Sequence, residues 1–138
     1  MRNERDVEAY LSATGRVYET VRDQDGLFLV TVAHKIHAAV RVDPPLVVAR
    51  VHIGQLPAGD SAPLLRKLLE HNAETLVHTS FGLDGDSIVL TAALALENLD
   101  RNELDAILDE IDLCLTRDVP ELRTLTASIP PSAAPASL

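Results

Sequence analysis

The side chains that could do chemistry are few and scattered. Five histidines occur, His34, His37, His52, His71 and His78, and His34 and His37 stand three apart at an expected strand turn. Zinc needs three or four ligands converging tetrahedrally, and Cys114 is the only thiol. No ligand pair has a recognised metal spacing, so no metal and no cofactor is expected, and the histidines read as surface or rim residues. Asp84 and Asp86 have the residue type for acid–base work, but they flank Gly85, where carboxylates serve as turn formers. Arg50 and His52, on one strand face, together with His78, carry the enzyme or small-ligand reading, an anion pocket. Gly82-x-x-Gly85 lacks the lysine and the strand-to-helix setting of a phosphate loop. Ser80 and Ser87 stand outside a nucleophile-elbow pattern. Cys114 reads as a small buried hydrophobe, because a reactive thiol needs electropositive surroundings and Asp112 is its near neighbour. No catalytic residue is expected.

Charge and composition narrow the partners. The chain has 138 residues, 21 acidic and 12 basic, for a net charge of −9. That length fits one domain. A strongly negative surface repels phosphate backbones, so no nucleic acid is expected. No apolar run approaches the roughly 20 residues of a membrane helix, so no membrane is expected either. The first residues, Met1-Arg2-Asn3-Glu4-Arg5-Asp6, contain no apolar leader. With the single cysteine, this points to a reducing, cytoplasmic location. Trp is absent and only Tyr10, Tyr18, Phe28 and Phe81 are aromatic, so the core and any partner surface must be aliphatic.

These residues need elements to position them. Asn3 suits the cap of a first helix carrying Val7, Tyr10 and Leu11, which Gly15 stops. Val17 to Val21 reads as either strand or linker. Asp23 to Gly26 is turn chemistry, followed by an apolar strand, Leu27 to Val32. Ile36 to Val42 and Leu46 to Ile53 read as the next two strands. Asp43-Pro44-Pro45 breaks the chain between them and is incompatible with the usual hairpin turn. A second helix begins near Asp60 or Ser61, with Pro63 in its first turn, and ends near Ala73. Its expected buried side is Leu64, Leu65, Leu68, Leu69 and Asn72. Two strands follow, Thr75 to Leu83 and Ser87 to about Leu94, joined by the Asp84-Gly85 hairpin signal. Asp100-Arg101-Asn102-Glu103 is a capping box opening the last helix, with Leu104, Ile107, Leu108, Ile111 and Leu115 as its stripe. Pro120 ends or kinks it. Residues 1–125 form a single domain, and 126–138 a disordered Pro/Ala/Ser tail. The expected fold class is α+β, a single antiparallel sheet with helices packed on it, in the order α-β-β-β-α-β-β-α.

Two surfaces stand out. The strands are apolar on both faces, and three helices on one side of a sheet cannot cover two apolar faces. Either a helix crosses over or another chain covers the second face. The expected partner or dimer surface comprises Phe28, Val30, Leu46 and Val48 of the sheet with Leu104, Ile107 and Ile111 of the last helix. The other surface is acidic. From Glu97 to Asp112 there are seven carboxylates and one arginine, which makes Asp105, Asp109 and Asp112 a candidate docking face for a basic partner, as in a signalling regulator or adaptor.

Three blocks carry a family resemblance: Leu64-Leu65-Arg66-Lys67-Leu68-Leu69-Glu70-His71-Asn72, then Phe81-Gly82-Leu83-Asp84-Gly85-Asp86-Ser87-Ile88-Val89-Leu90, then Leu99-Asp100-Arg101-Asn102-Glu103-Leu104 with its amphipathic helix. Over about residues 3–123 the chain resembles the type III secretion chaperone-like group, which includes the class I secretion chaperones and the YbjN-like sensory transduction regulators. Asp43-Pro44-Pro45 and Gly54-Gln55-Leu56-Pro57 look more YbjN-like. The resemblance implies the same element order, a homodimer and no enzymatic activity. It also implies hydrophobic patches that hold an extended segment of a client protein.

Overall fold

The structure is a computed structural model and describes residues 2–130. Helix α1 (Glu4–Ala13) starts at Asn3, whose side chain accepts the Arg5 and Asp6 N–H groups, while Asp6 accepts the Asn3 N–H at 2.8 Å. Strands β1 (Tyr18–Val21), β2 (Gln24–Thr31), β3 (His37–Asp43) and β4 (Leu46–Gln55) follow. Helix α2 (Ala62–Glu74), strands β5 (Ser80–Asp84) and β6 (Ser87–Ala95), and helices α3 (Arg101–Leu113) and α4 (Val119–Arg123) complete the chain. One six-stranded sheet results, in the order β1-β2-β3-β4-β6-β5, with every pair antiparallel. The fold class is the one expected. Of the two readings open for Val17 to Val21, the structure takes the strand, so four strands precede α2.

The turns depart most from expectation. Arg22 and Asp23 form the first one, and Gln24 to Gly26 already belong to β2. Asp43 pairs directly with Leu46 across a two-residue connection, Pro44 and Pro45, whose joining peptide is cis. In the last hairpin the loop residues are Gly85 and Asp86, not Asp84 and Gly85. Gly85 holds φ 59° at the first central position, where a two-residue turn needs a residue without Cβ. Thr75 to Thr79 is not strand; β5 begins only at Ser80.

The capping box at Asp100 forms as expected, with Glu103 N–H on Asp100 at 2.8 Å and Asp100 N–H on Glu103 at 3.3 Å. Pro120 neither ends nor sharply breaks the helix. A wider π turn, Cys114–Asp118, leads from α3 into α4 and absorbs the missing N–H and the bulk of the ring. The chain also stays packed beyond the expected boundary at 125. Ile129 is buried, and Ser128 Oγ donates to the Gln55 carbonyl. A Cβ at Gly54 would lie 3.0 Å from Ile129, so this segment fits β4 only over glycine. The remainder of the expected tail, 131–138, lies outside the described residues.

One hydrophobic cluster joins the four helices to a single face of the sheet. Val7 and Leu11 of α1, Leu64 and Leu68 of α2, Leu104, Ile107, Leu108 and Ile111 of α3, and Leu122 of α4 meet Phe28, Val30, Val40, Ala49, Val51, Ile88 and Leu90. The stripe of α2 is Leu64, Leu68 and His71, with Leu65 half-buried and Leu69 67% exposed. Helix periodicity places Leu68 and Leu69 about 100° apart, and the sheet reaches only the first.

Candidate functional site

Strand register sorts the expected partner residues onto opposite sides of the sheet. Phe28 pairs with Val40, Val40 with Ala49 and Ala49 with Ala92, a row that faces the helices. Val30 lies in the next inward row, beside Ala38. Phe28 and Val30 are therefore core, at 3% and 0% exposure, and so are Leu104, Ile107 and Ile111, the inward stripe of α3. Their burial removes these five from any surface. Leu46 and Val48 stand on the other face, Leu46 exposed and Val48 half-buried.

That outer face is built in rows across the strands. One row is Leu27, Arg41, Val48 and Ala93; the next is Leu29, Ala39, Arg50, Thr91 and Ser80. None of its side chains joins the cluster under the helices, and every helix contributes its buried residues to that cluster. Among the described residues the face thus has no helix over it, as the second side of a two-layer fold, although Leu27 and Val89 on it are buried. Arg50 reaches Asp84 with Nη2 at 2.6 Å from Oδ2, two rows away, and Val89 lies in the row between them and is buried. His52 shares the row of Val89 and Gly82. The sequence could have excluded Phe28 and Val30 only if the number of helices on each side were known.

The two edges of the sheet differ. At β5, Asn72 of α2 acts as a substitute strand: its Oδ1 accepts the Phe81 N–H at 2.7 Å and its Nδ2 donates to the Phe81 carbonyl at 3.0 Å. The loop leading into β5 is held by one carboxylate. Glu110 accepts the N–H groups of Val77, His78 and Thr79 at 2.6–2.9 Å and the Thr79 hydroxyl at 2.7 Å. Burial opposes the Glu110 charge, but the Thr79 hydroxyl and the three N–H groups outweigh it and hold the carboxyl below its ordinary range. At the other edge, Val17 accepts the Thr31 N–H at 2.8 Å, so strand alternation turns the backbone groups of Tyr18 and Thr20 outward. Neither Asn72 nor Glu110 was legible as a clamp, since their partners are backbone groups distant in sequence.

The expected acidic face is largely committed inside the chain. Asp109 and Asp112 both bind Arg16, at 2.9 and 2.6 Å, and Asp112 also accepts the Ala33 N–H. Asp105 lies 3.7 Å from Arg101, one turn earlier. Arg50, His52 and His78 do not gather. His78 sits in the Glu110-held loop, and the open groove of about 530 Å³ lies elsewhere, along α2, lined by Ala62, Leu65, Arg66, Leu69, Glu70, Ala73 and Glu74. Among the described residues no three His, Cys, Asp or Glu side chains come together as a metal-ligand group. Cys114 is buried, and burial, then the charge of Asp118, push its thiol well up, which keeps it protonated. The influential neighbour is Asp118, one helical turn on, rather than Asp112. No helix of the described residues is long and apolar enough to cross a membrane.

Comparison with known proteins agrees with this architecture. The CesT_Tir_1 family profile matches residues 1–128. No curated protein matches the sequence. Among solved structures, YbjN from E. coli is similar with a TM-score of 0.66 at 11% identity, over 94% of this chain and 96% of that one. A chain of the ExoU–SpcU complex from the type III secretion system of Pseudomonas aeruginosa gives 0.66 at 18% identity, over 83% and 95%. The Yersinia pestis type III secretion chaperone SycH, in complex with a fragment of YscM2, gives 0.55 at 20% identity, over 89% and 98%. At these identities the likeness is one of fold.

Proposed function

The chain belongs to the CesT_Tir_1 family, within the type III secretion chaperone-like superfamily, and from that footing we propose that it is a non-enzymatic, cytoplasmic protein-binding module that holds a segment of a client protein on the outer face of its sheet. The observation that carries this reading is the helix-free sheet face itself: Leu29, Ala39 and Val48 lie half-buried and Ala93 exposed on it, and every helix of the described residues lies on the opposite side. Apolar sheet surface left without a helix over it marks a candidate interaction site. Similar folds are known in chaperones bound to partners, SycH with YscM2 and SchA with HopA1, and the role is carried to this chain by analogy.

Homodimerisation belongs to the same reading. The groove along α2 places Leu65, Leu69 and Ala73 among charges of both signs, Arg66, Glu70 and Glu74. A twofold axis requires a self-complementary patch, and antiparallel copies of α2 would set Arg66 of each against the acids of the other. This assigns one surface to the second copy and leaves the sheet for the client.

The test is a holding assay. The protein is expected to scatter light as a dimer and to suppress aggregation of reduced, unfolded insulin B chain. Leu29→Asp with Val48→Asp should abolish the suppression while leaving the circular dichroism spectrum native. A monomer at high concentration that suppresses no aggregation and binds no apolar dye would sink the proposal.

A further inference from the structure

Strand pairing stops short on one flank of β4. The strand runs to Gln55, and β6 accompanies it from Leu46 opposite Ala95 to Gln55 opposite Ser87, past one irregularity between His52 and Gly54. On the other flank the last pair with β3 is Ala39 with Arg50, so residues 51–55 have a strand on one side only. At the end of this flank the Leu56 N–H donates to the Asp86 carbonyl in the β5–β6 hairpin at 2.7 Å. Strand alternation then turns the backbone groups of Gln55 the other way, toward the flank that lacks a strand. Residues 126–130 occupy that place.

They occupy it without joining the sheet. Among the described residues no backbone–backbone hydrogen bond ties 126–130 to β4. The Thr126 hydroxyl accepts the Ser128 N–H at 3.1 Å and meets the Ser128 hydroxyl at 2.9 Å, so the segment satisfies part of its own polarity. Its polar bond to the sheet comes from a side chain, Ser128 Oγ donating to the Gln55 carbonyl, while Arg123 of α4 donates to the Pro130 carbonyl at 2.7 Å. Ile129 is buried, seated where Gly54 has no Cβ, and Ala127 and Pro130 on either side are exposed. A segment held by one apolar side chain and one hydroxyl opens locally far more easily than the ladders and helices beside it.

We infer that residues 126–130 are a built-in competitor at a strand slot on β4, which an extended segment of a partner protein enters by displacing them. The slot offers what such a segment requires: backbone groups at the open end of β4 and a space over Gly54 sized for a branched aliphatic side chain. The resident defines the chemistry of the entrant, an uncharged stretch with a β-branched aliphatic residue directly after a hydroxyl residue. An incoming strand that pairs with Gln55 gains backbone bonds that the resident lacks, which offsets the advantage of a tethered competitor. This rests on the reading of the chain as a binder of protein segments and gives it a second contact, away from the outer face.

A synthetic peptide with the sequence of residues 124–130, titrated into the full chain and followed through the Gly54 and Gln55 amide resonances, tests this. In the Ile129→Ser chain, whose own segment no longer fills the slot, binding is expected to be saturable. In the natural chain it should be at least about tenfold weaker, because the tethered segment competes at an effective concentration on the order of millimolar. The same peptide with serine in place of its isoleucine should not bind. A second measurement reads the opening directly. The Ile129→Cys thiol should react with dithionitrobenzoate at least about a hundredfold faster than Cys114, whose labelling requires opening of the core. Equal peptide binding by the two chains, binding that ignores the isoleucine, or no binding overturns the inference. So do equal labelling rates or an Ile129→Ser chain that fails to fold, since either places the segment in the cooperative core. The insulin-chain assay separates the two levels: holding without peptide binding sinks only the slot, and peptide binding without holding sinks only the outer face as client site.

Discussion

Along β4 the residues Val47, Ala49, Val51 and Ile53 are buried under the helices, while Leu46, Val48, Arg50 and His52, one position out of step, look away from them. Strand alternation makes both sets possible and assigns neither to the core. The inner set became core because every amphipathic helix, α1 to α4, turns its stripe to that side. The outer set keeps Val48 half-buried and Leu46 exposed, together with Arg50, a charge that a core would not tolerate unpaired. Apolar residues thus hold the fold together on one side and form a helix-free sheet face on the other. The edges repeat the contrast: Asn72 closes β5 with a borrowed pair of backbone-like bonds, and among the described residues no such pair closes β1 at Tyr18 and Thr20.

The largest effect that could break this comparison lies on the inner face. Leu90 is fully buried beneath the helices, so Leu90→Ala should lower unfolding stability by about 2–5 kcal/mol, read by chemical denaturation. A loss near that of an exposed site would mean that the inner face is not the core.

Glu110 comes next. Glu110→Gln keeps the shape but removes the charge that four donors share, and about 1–3 kcal/mol should be lost at neutral pH. The sign with pH follows from its lowered carboxyl. The stabilisation is complete above the unfolded glutamate pKa of about 4.5 and disappears as pH falls through the lower folded value. Denaturation profiles at pH 7 and pH 3 should therefore differ less for Glu110→Gln than for the natural chain.

Asn72→Ala sharpens the edge contrast. Two bonds to Phe81 are lost, about 1–2 kcal/mol, and the β5 edge becomes available for pairing. Concentration-dependent association by light scattering, beyond whatever the natural chain shows, is the expected signature. The smallest effect belongs to the outer face: Val48→Ser should change stability by less than about 0.5–1 kcal/mol while weakening insulin-chain holding. A core-sized loss there would erase the distinction between the faces.

Much of the fold was legible. The α3 capping box, the Pro in the first turn of α2, the apolar runs of β2, β3 and β4 and the antiparallel order all follow from short-range chemistry, and each is where local residues place it. The misreadings share a cause. Thr75 to Thr79 alternates like a strand, but Glu110, some thirty residues later, takes its N–H groups and holds it as a loop. Asp109 and Asp112 look like a free acidic face until Arg16 arrives from the other end of the chain. Phe28 and Val30 look like partner residues until the helices choose their side.

The sequence by itself determined the class of molecule: one acidic α+β unit, aliphatic throughout, with more apolar sheet surface than its helices can cover. Periodicity, caps and composition are local or additive, and they survive without coordinates. Only the tertiary structure decided which face is covered, which edge is closed and which charges are already neutralised. Those depend on contacts between residues far apart in the chain, Asn72 with Phe81, Glu110 with Thr79, Arg16 with Asp112, whose meeting is fixed by packing rather than by spacing.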